Sequence, residues 1–289
     1  MRQYATGNAT ARRLLRDPRA RVAAVVLTLI ALVALLAPVI APYDPAAQLD
    51  ITRLQGRPPS LAHPLGTDPY SRDVLSRMIH GARISLSVAL VAVSLSITLG
   101  IMVGTVAGFM GGAVDAVLMR IVDAAISIPR LLLLILVVSL WGEVGVAGLT
   151  LLIAGTGWFA VSRIVRAQAL VVREQDYVTA ARALGSSPVG LLVRHVLPNA
   201  AGPGLVAASL AIGNVILLEA GLSYLGIGIR PPAASWGSII QDGAERVSAQ
   251  WWLTLFPGLA ILVTVFACNA LGDALRDLLD PRQVDARPH

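Results

Sequence analysis

Long uncharged runs alternate along this chain with short polar stretches rich in arginine. Uncharged runs cover 22–43, 84–114, 131–142 and 144–162, and two more apolar runs follow at 199–222, which holds one acid (Glu219), and 251–272. A helix needs about 20 apolar residues to cross a bilayer. The pattern therefore predicts spans at about 22–41, within 84–114, at 144–162, at about 199–222 and at about 251–272. The 131–142 run is too short to cross alone. A third span must extend back from it through Asp123 towards Arg120, with Pro129 inside it. Six spans result, with Pro38 near the outer end of the first. Basic residues precede that first run, as in a secretory signal, but a signal core is only 7–15 residues long. An uncleaved span is expected instead.

Small residues mark one of these helices. Gly100, Gly104, Gly108 and Gly112 recur every fourth position, on one face. That spacing lets two helix backbones approach closely, so a helix-packing face is expected. A glycine-lined substrate path is the lesser alternative.

The polar stretches carry their own signals. Residues 173–184 read as a short helix, because Ala180, Ala181, Ala183 and Leu184 are good helix formers. Gly185 can take positive φ and stop it. Pro188 suits the first turn of a second helix, and Pro198 is expected to end that unit or kink the entry to the next span. This helix–turn–helix sits between spans. It offers a knob that a soluble partner can receive in a groove. An ordinary amphipathic loop is the plainer alternative. Between the first two spans, 42–85 holds turn residues and a short amphipathic helix around 71–80, read as a structural lead-in to the next span.

Composition agrees with a membrane protein: 56% of the residues are hydrophobic and 14% charged, where soluble domains carry roughly 25% charged. All 23 Lys+Arg residues are arginine. A phosphate-binding loop needs a lysine, so this chain carries none, and lysine Schiff-base chemistry is excluded too. The net charge of +6 follows topology rather than nucleic acid, since the arginines flank apolar runs. Cys268 is the single cysteine and has no disulfide partner in the chain. His63, His80, His195 and His289 show no metal-ligand spacing. Segments 1–21, 163–198 and 273–289 hold 14 arginines, whereas 42–85 and 223–250 hold 7. The positive-inside rule then puts both termini and 163–198 in the cytoplasm.

Several motifs resemble one family. Ala180-Ala181-x-x-x-Gly185 with Leu197-Pro198 resembles the "EAA" loop of ABC-importer permeases. Here Thr179 stands where that family often has Glu, and His195 where it often has Ile. His63-Pro64-Leu65-Gly66-Thr67-Asp68, Arg72-Asp73-Val74-Leu75-Ser76-Arg77 and Gly81-Ala82-Arg83-Ile84-Ser85-Leu86 resemble a block of the dipeptide/oligopeptide/nickel subfamily, in its second, C-type permease subunit. Ser71 replaces that block's usual glycine. Ile128-Pro129, the stretch Ser223 to Gly243 and the ending Gly272-Asp273-Ala274-Leu275-Arg276-Asp277 with Asp280-Pro281-Arg282 resemble the same subfamily. The resemblance covers roughly 60–285.

The resemblance implies an all-α integral membrane protein of the type I ABC-importer (MetI-like) permease fold, with six transmembrane helices. It implies a cytoplasmic segment 1–21, a first span 22–41, an extracytoplasmic loop 42–85 and a five-helix core 86–289. That core holds a cytoplasmic coupling loop 166–198, an extracytoplasmic loop 223–250 and a cytoplasmic tail 273–289. The implied role is non-catalytic: a permease subunit in the bacterial inner membrane that passes di- or oligopeptides. Its implied partners are a second homologous permease as heterodimer, two ATPase subunits and an extracytoplasmic substrate-binding protein. ATP and Mg would sit in the ATPase subunits, with no cofactor or metal in this chain. Asp176, Tyr177, Thr179, Ala180, Ala181, Arg182, Leu184, Gly185, Ser186 and Pro198 would contact the ATPase. Asp123, Arg130 and Glu219 are candidates for the translocation path, since ionisable groups at membrane depth face protein or water. Pairing within the bundle is the alternative for the first two. Nickel or another small solute is the runner-up substrate. An ion channel or secondary transporter using Asp123 and Glu219 is the competing class. A membrane enzyme is disfavoured, because no His/acid or Ser/His set lies near a span end.

Overall fold

The computed structural model describes residues 17–142 and 144–279. Most of the N-terminal arginines and Asp280-Pro281-Arg282 lie outside the described residues. In chain order the helices are α1 (Pro18–Leu35), α2 (Ala37–Ile40), α3 (Ile51–Leu54), α4 (Val74–Met110), α5 (Gly112–Ile126), α6 (Arg130–Trp141) and α7 (Val146–Arg173). There follow α8 (Asp176–Ala183), α9 (Pro188–Tyr224), α10 (Trp236–Gly243) and α11 (Trp252–Leu279). Among the described residues the only β pairing is an isolated Thr67–Asp73 bridge. Among the described residues five helices are long and apolar enough to cross a membrane: α1, α4, α7, α9 and α11. The bent pair α5–α6 passes the same test together.

Several helices overrun the spans expected of them. α4 has 37 residues, about 55 Å at 1.5 Å per residue, against a hydrocarbon core of about 30 Å. The stretch around 71–80, expected as a separate short helix, is instead the first part of α4 from Val74 on. α7 likewise continues past 162 to Arg173, so Arg163 and Arg166 lie on a helix rather than in a loop. The third span differs most. It is not one helix through Pro129 but two, bent by 82° at a break between Ile126 and Arg130. Proline has no N–H for the ladder and disfavours helical backbone at the residue before it, here Ile128, so the break falls there. Pro198, by contrast, neither ends nor breaks α9. A π-helical segment, Leu192–Val196, precedes it, and the helix runs on to Tyr224. The wider turn accommodates a residue that cannot donate to the carbonyl four residues back.

The chain forms two compact units. One holds the chain to Leu90, Val137–Thr150 and the chain from Ile212; the other holds Val91–Leu136 and Leu151–Ala211. In the first, α11 packs along α1 and α10. α1 buries only Ala20, Ala23 and Ala34 and leaves Val22, Val25, Leu29 and Leu35 exposed. Small side chains at the contact and large ones outside suit a helix with lipid on its far side. Val74, Ile239, Trp252 and Leu253 form a buried cluster at the start of α4, flanked by Leu65, Met78 and Phe256. Asp50 caps α3, and the Thr52 hydroxyl and the backbone amides of Arg53 and Thr52 hold its carboxyl below the usual range.

In the second unit α4 and α7 touch through the glycine face. A methyl group on Gly100 would lie 2.6 Å from Val161 Cβ, and one on Gly108 would lie 2.7 Å from Ala169 Cβ. One on Gly104 would overlap the Ser162 carbonyl. Gly112 is not in this row. α4 ends at Met110, Gly111 and Gly112 reverse the chain at φ +64° and +55°, and a methyl group on Gly112 would meet nothing within 4 Å.

The contact partners rise together, 100 to 108 with 161 to 169, so α4 and α7 run parallel. Parallel neighbours require the chain between them to return across the membrane. The polar contacts of α5 and α6 climb α7 in reverse: Asp115 meets Arg166, Asp123 meets Arg163, and Arg130 meets Thr156 and Ile153. The broken pair is thus a complete crossing, and the described residues make up six spans.

Candidate functional site

The polar segment after α7 is built tightly. Gly185 has φ +85°, as expected from its place after Leu184. Its N–H donates to the Arg182 carbonyl at 3.0 Å, and the Ser186 N–H donates to the Ala181 carbonyl at 3.1 Å. These bonds close the last turn of α8 in a Schellman arrangement, which needs a residue tolerant of positive φ. The Ser187 hydroxyl then accepts from Gly190 N–H and caps α9. Val178, Leu191 and Val196 are buried under the segment. Asp176, Tyr177, Thr179, Ala180, Arg182, Leu184, Gly185, Ser186 and Pro198 are exposed, and Ala181 is half-buried. Leu184 is 88% exposed, with Val189 and Val193 also exposed. The Tyr177 and His195 rings lie 6.3 Å apart. Beside them Ser186, Ser187, Val189, Gly190, Val193, Arg194 and His195 line a hollow of about 370 Å³. The segment thus presents an apolar tip on a rigid, capped turn.

Asp123 and Arg130 are both partnered, but not with each other. Asp123 lies 3.8 Å from Arg163, and both side chains are more than half exposed. Arg130 donates to Thr156 Oγ1 at 3.0 Å and to the Ile153 carbonyl at 2.6 Å. Lower on α7, Arg166 holds both carboxylate oxygens of Asp115, at 2.5 and 2.6 Å.

Glu219 lies in the other unit and has no exposed surface. Its carboxylate accepts from Ser223 Oγ at 2.7 Å and Ser85 Oγ at 3.1 Å. Those hydroxyls in turn accept backbone N–H groups of Ile229 and Trp236. The loop after α9 is fastened to α9 and the start of α10 to α4 in this way. Gly237 sits where a methyl group would lie 2.5 Å from Ala220 Cα, so the start of α10 packs backbone to backbone on α9.

A second polar cluster was not legible in the sequence. Arg72 Nε donates to Asp68 at 2.6 Å, and Arg72 Nη2 to Asp242 at 3.0 Å. Arg77 Nη1 bonds Asp68 as well, and Asp242 at 2.6 Å. Asp68, Arg72 and Arg77 are buried. Asp68 and Arg72 are four residues apart, but Asp242 lies 170 residues from Arg72 along the chain. His63 Nδ1 lies 2.9 Å from Asp73, whose other oxygen accepts from Ser76. Arg72 and Asp242 also line a groove of about 720 Å³ with Tyr70, Arg230, Gln241 and Arg246. Among the described residues no group of three or more His, Cys, Asp or Glu could hold a metal ion.

The candidate spans, the absence of strands among the described residues and the polar turn mounted at the ends of two spans define a polytopic, all-α membrane protein. Residues 96–285 match the family of binding-protein-dependent transport system inner membrane components, and 8–59 match the N-terminal transmembrane domain of oligopeptide transport permease C. The chain is 42% identical over 275 residues to a putative peptide transport system permease protein of Brucella abortus biovar 1 (strain 9-941), covering 94% of this chain and 91% of that protein. It is 40% identical over 268 residues to the probable D,D-dipeptide transport system permease protein DdpC of Escherichia coli (strain K12), covering 92% and 88%. To the oligopeptide transport system permease protein OppC of Bacillus subtilis (strain 168) it is 38% identical over 265 residues, covering 91% and 85%. The chain therefore belongs to the family of binding-protein-dependent transport system inner membrane components, within its dipeptide/oligopeptide/nickel, C-type branch. It is a multi-pass permease subunit of the inner membrane, and subunits of this kind are non-catalytic.

Proposed function

We propose that this chain forms half of a translocation path for di- or oligopeptides and is driven by separate ATPase subunits that grip α8. The observation that carries the reading is the exposed apolar tip around Leu184, held by the Gly185 turn at φ +85°. A solvated loop has no use for a buried foundation and an exposed leucine, whereas a groove on a partner does. A second, homologous permease completes the path, and a binding protein delivers the peptide from outside. ATP and Mg bind to the ATPase subunits. ATP must favour one conformation of the complex over the other, and α8 transmits that difference to the spans.

The arginine distribution supports cytoplasmic α8, N-terminus and C-terminus, and six crossings put both termini on one side. A cytoplasm-only reporter fused after Arg173 is then active, and one fused after Trp236 is silent. Of the path candidates, Asp123 has an exposed carboxylate and Arg130 a half-buried guanidinium. Glu219, with no exposed surface, serves better to hold the outer loop. The deciding experiment is reconstitution with the second permease, the ATPases and the binding protein. Peptide uptake should require all of them and ATP; uptake by this chain alone would make it a channel or secondary transporter.

A further inference from the structure

Two polar contacts of α7, at Arg166 and Arg173, lie towards its C-terminal end, just before α8 begins. Arg166 holds Asp115, in the first turn of α5, through both carboxylate oxygens. Arg173 donates from Nη1 to the Gly108 carbonyl at 2.9 Å, two residues before the end of α4. Two turns of one helix thus grip both sides of the Gly111–Gly112 reversal. Only Glu174 and Gln175 separate Arg173 from α8. The Gln175 carbonyl accepts from Val178 and Thr179 N–H at 3.0 and 3.1 Å, and Val178 is buried. The tether between α7 and α8 is therefore short and bonded.

We propose that Arg166 with Asp115, and Arg173 with the Gly108 carbonyl, form a transmission knot that makes α5 and the end of α4 follow α8. They are positioning residues, and the proposal rests on the coupling reading of α8. A mechanical link needs contacts that resist both compression and sliding. The glycine face resists compression, because Gly100, Gly104 and Gly108 already bring the two backbones into contact. A row of glycines offers little grip against sliding along the axis. Directional bonds supply that grip, and a two-point arginine–carboxylate pair fixes orientation as well as distance. Gly111 and Gly112 are the most pliable backbone in this region, with no side chain to pack. Without the knot, α7 would move with α8 while α5 lagged behind the flexible reversal.

The test uses the whole complex in liposomes, with ATPase and binding-protein subunits present. Peptide imported per ATP hydrolysed is measured beside co-purification of the ATPases, for Asp115→Asn, for Arg173→Gln and for the exchanged pair Asp115→Arg with Arg166→Asp. Asp115→Asn and Arg173→Gln should each lower the transport-to-hydrolysis ratio, Asp115→Asn by about fivefold or more, with the ATPases still bound. The exchanged pair should restore most of the ratio. A structural role alone would reduce the amount of assembled complex and leave the ratio per complex unchanged, and that result overturns the proposal. Failure of the exchange to rescue an assembled complex overturns it too. Gly185→Val serves as the reference. If it uncouples the complex while Asp115→Asn does not, the knot fails alone; if it stays coupled, the reading of α8 fails and the knot with it.

Discussion

Ser223 donates its hydroxyl to Glu219 across one turn of α9, at 2.7 Å, and the same oxygen receives the N–H of Ile229 at 3.0 Å. The pair is the hub through which the loop between α9 and α10 is tied down. Glu219→Leu removes the acceptor and leaves the Ser85 and Ser223 hydroxyls without it. The expected cost is roughly 1–3 kcal/mol. It is read as a lower melting temperature in detergent, and transport should fall further than expression. Glu219→Gln keeps an acceptor and should lose less. Wild-type melting and transport in the leucine variant would refute the role.

Gly185→Val is expected to strain the turn by about 1–3 kcal/mol. A methyl group there meets nothing within 4 Å, so the penalty arises wholly from the φ of +85°. The six spans should insert normally, while ATPase association weakens or hydrolysis separates from uptake. Co-purification and substrate-stimulated ATPase activity measure this; unchanged coupling would remove the case for a contact at this turn.

Gly104→Ala should destabilise the protein by about 1–3 kcal/mol through overpacking, since the new methyl group overlaps the Ser162 carbonyl of α7. Gly155→Ala is the control. It lies within α7, with open space around the added carbon, and should be neutral or slightly stabilising. Thermal melts of the two variants should separate; equal melts would mean that the helices can draw apart at no cost.

Arg77→Met should cost about 3–5 kcal/mol, because two carboxylates then share Arg72 alone in a buried site. Removing one of them should repair part of the damage. The double variant Arg77→Met with Asp242→Leu is expected to melt above Arg77→Met by itself. If it melts lower, the residues act as separate contacts rather than as one charge-balanced cluster.

Much of this architecture was legible because membrane spans announce themselves by length and lack of charge. The turn at Gly185 was legible for a different reason: an alanine-rich helix followed by glycine leaves few conformations open. The failures have physical causes as well. Pro198 was expected to end the unit or kink the entry to the next span; it does not end the helix, and a local rule cannot anticipate the π-helical turn that precedes it. Gly112 fitted a four-residue spacing although the helix had already ended, because spacing alone does not reveal a reversal at Gly111. Asp242 carries no mark of its partners, which approach it only when the chain is folded. Charges at 115 and 166 likewise pair across two helices, where no periodicity connects them.

The contact between α1 and α11 joins the first and last spans among the described residues. During synthesis the alanine face of α1 has no seat until α11 has been made. At about 5–20 residues per second that wait lasts on the order of ten to forty seconds. Biogenesis of the first unit therefore finishes late, and a ribosome that stalls before Trp252 leaves an inserted but unclosed protein. Its row of small side chains, Ala20, Ala23 and Ala34, then lacks the helix that buries it in the finished protein.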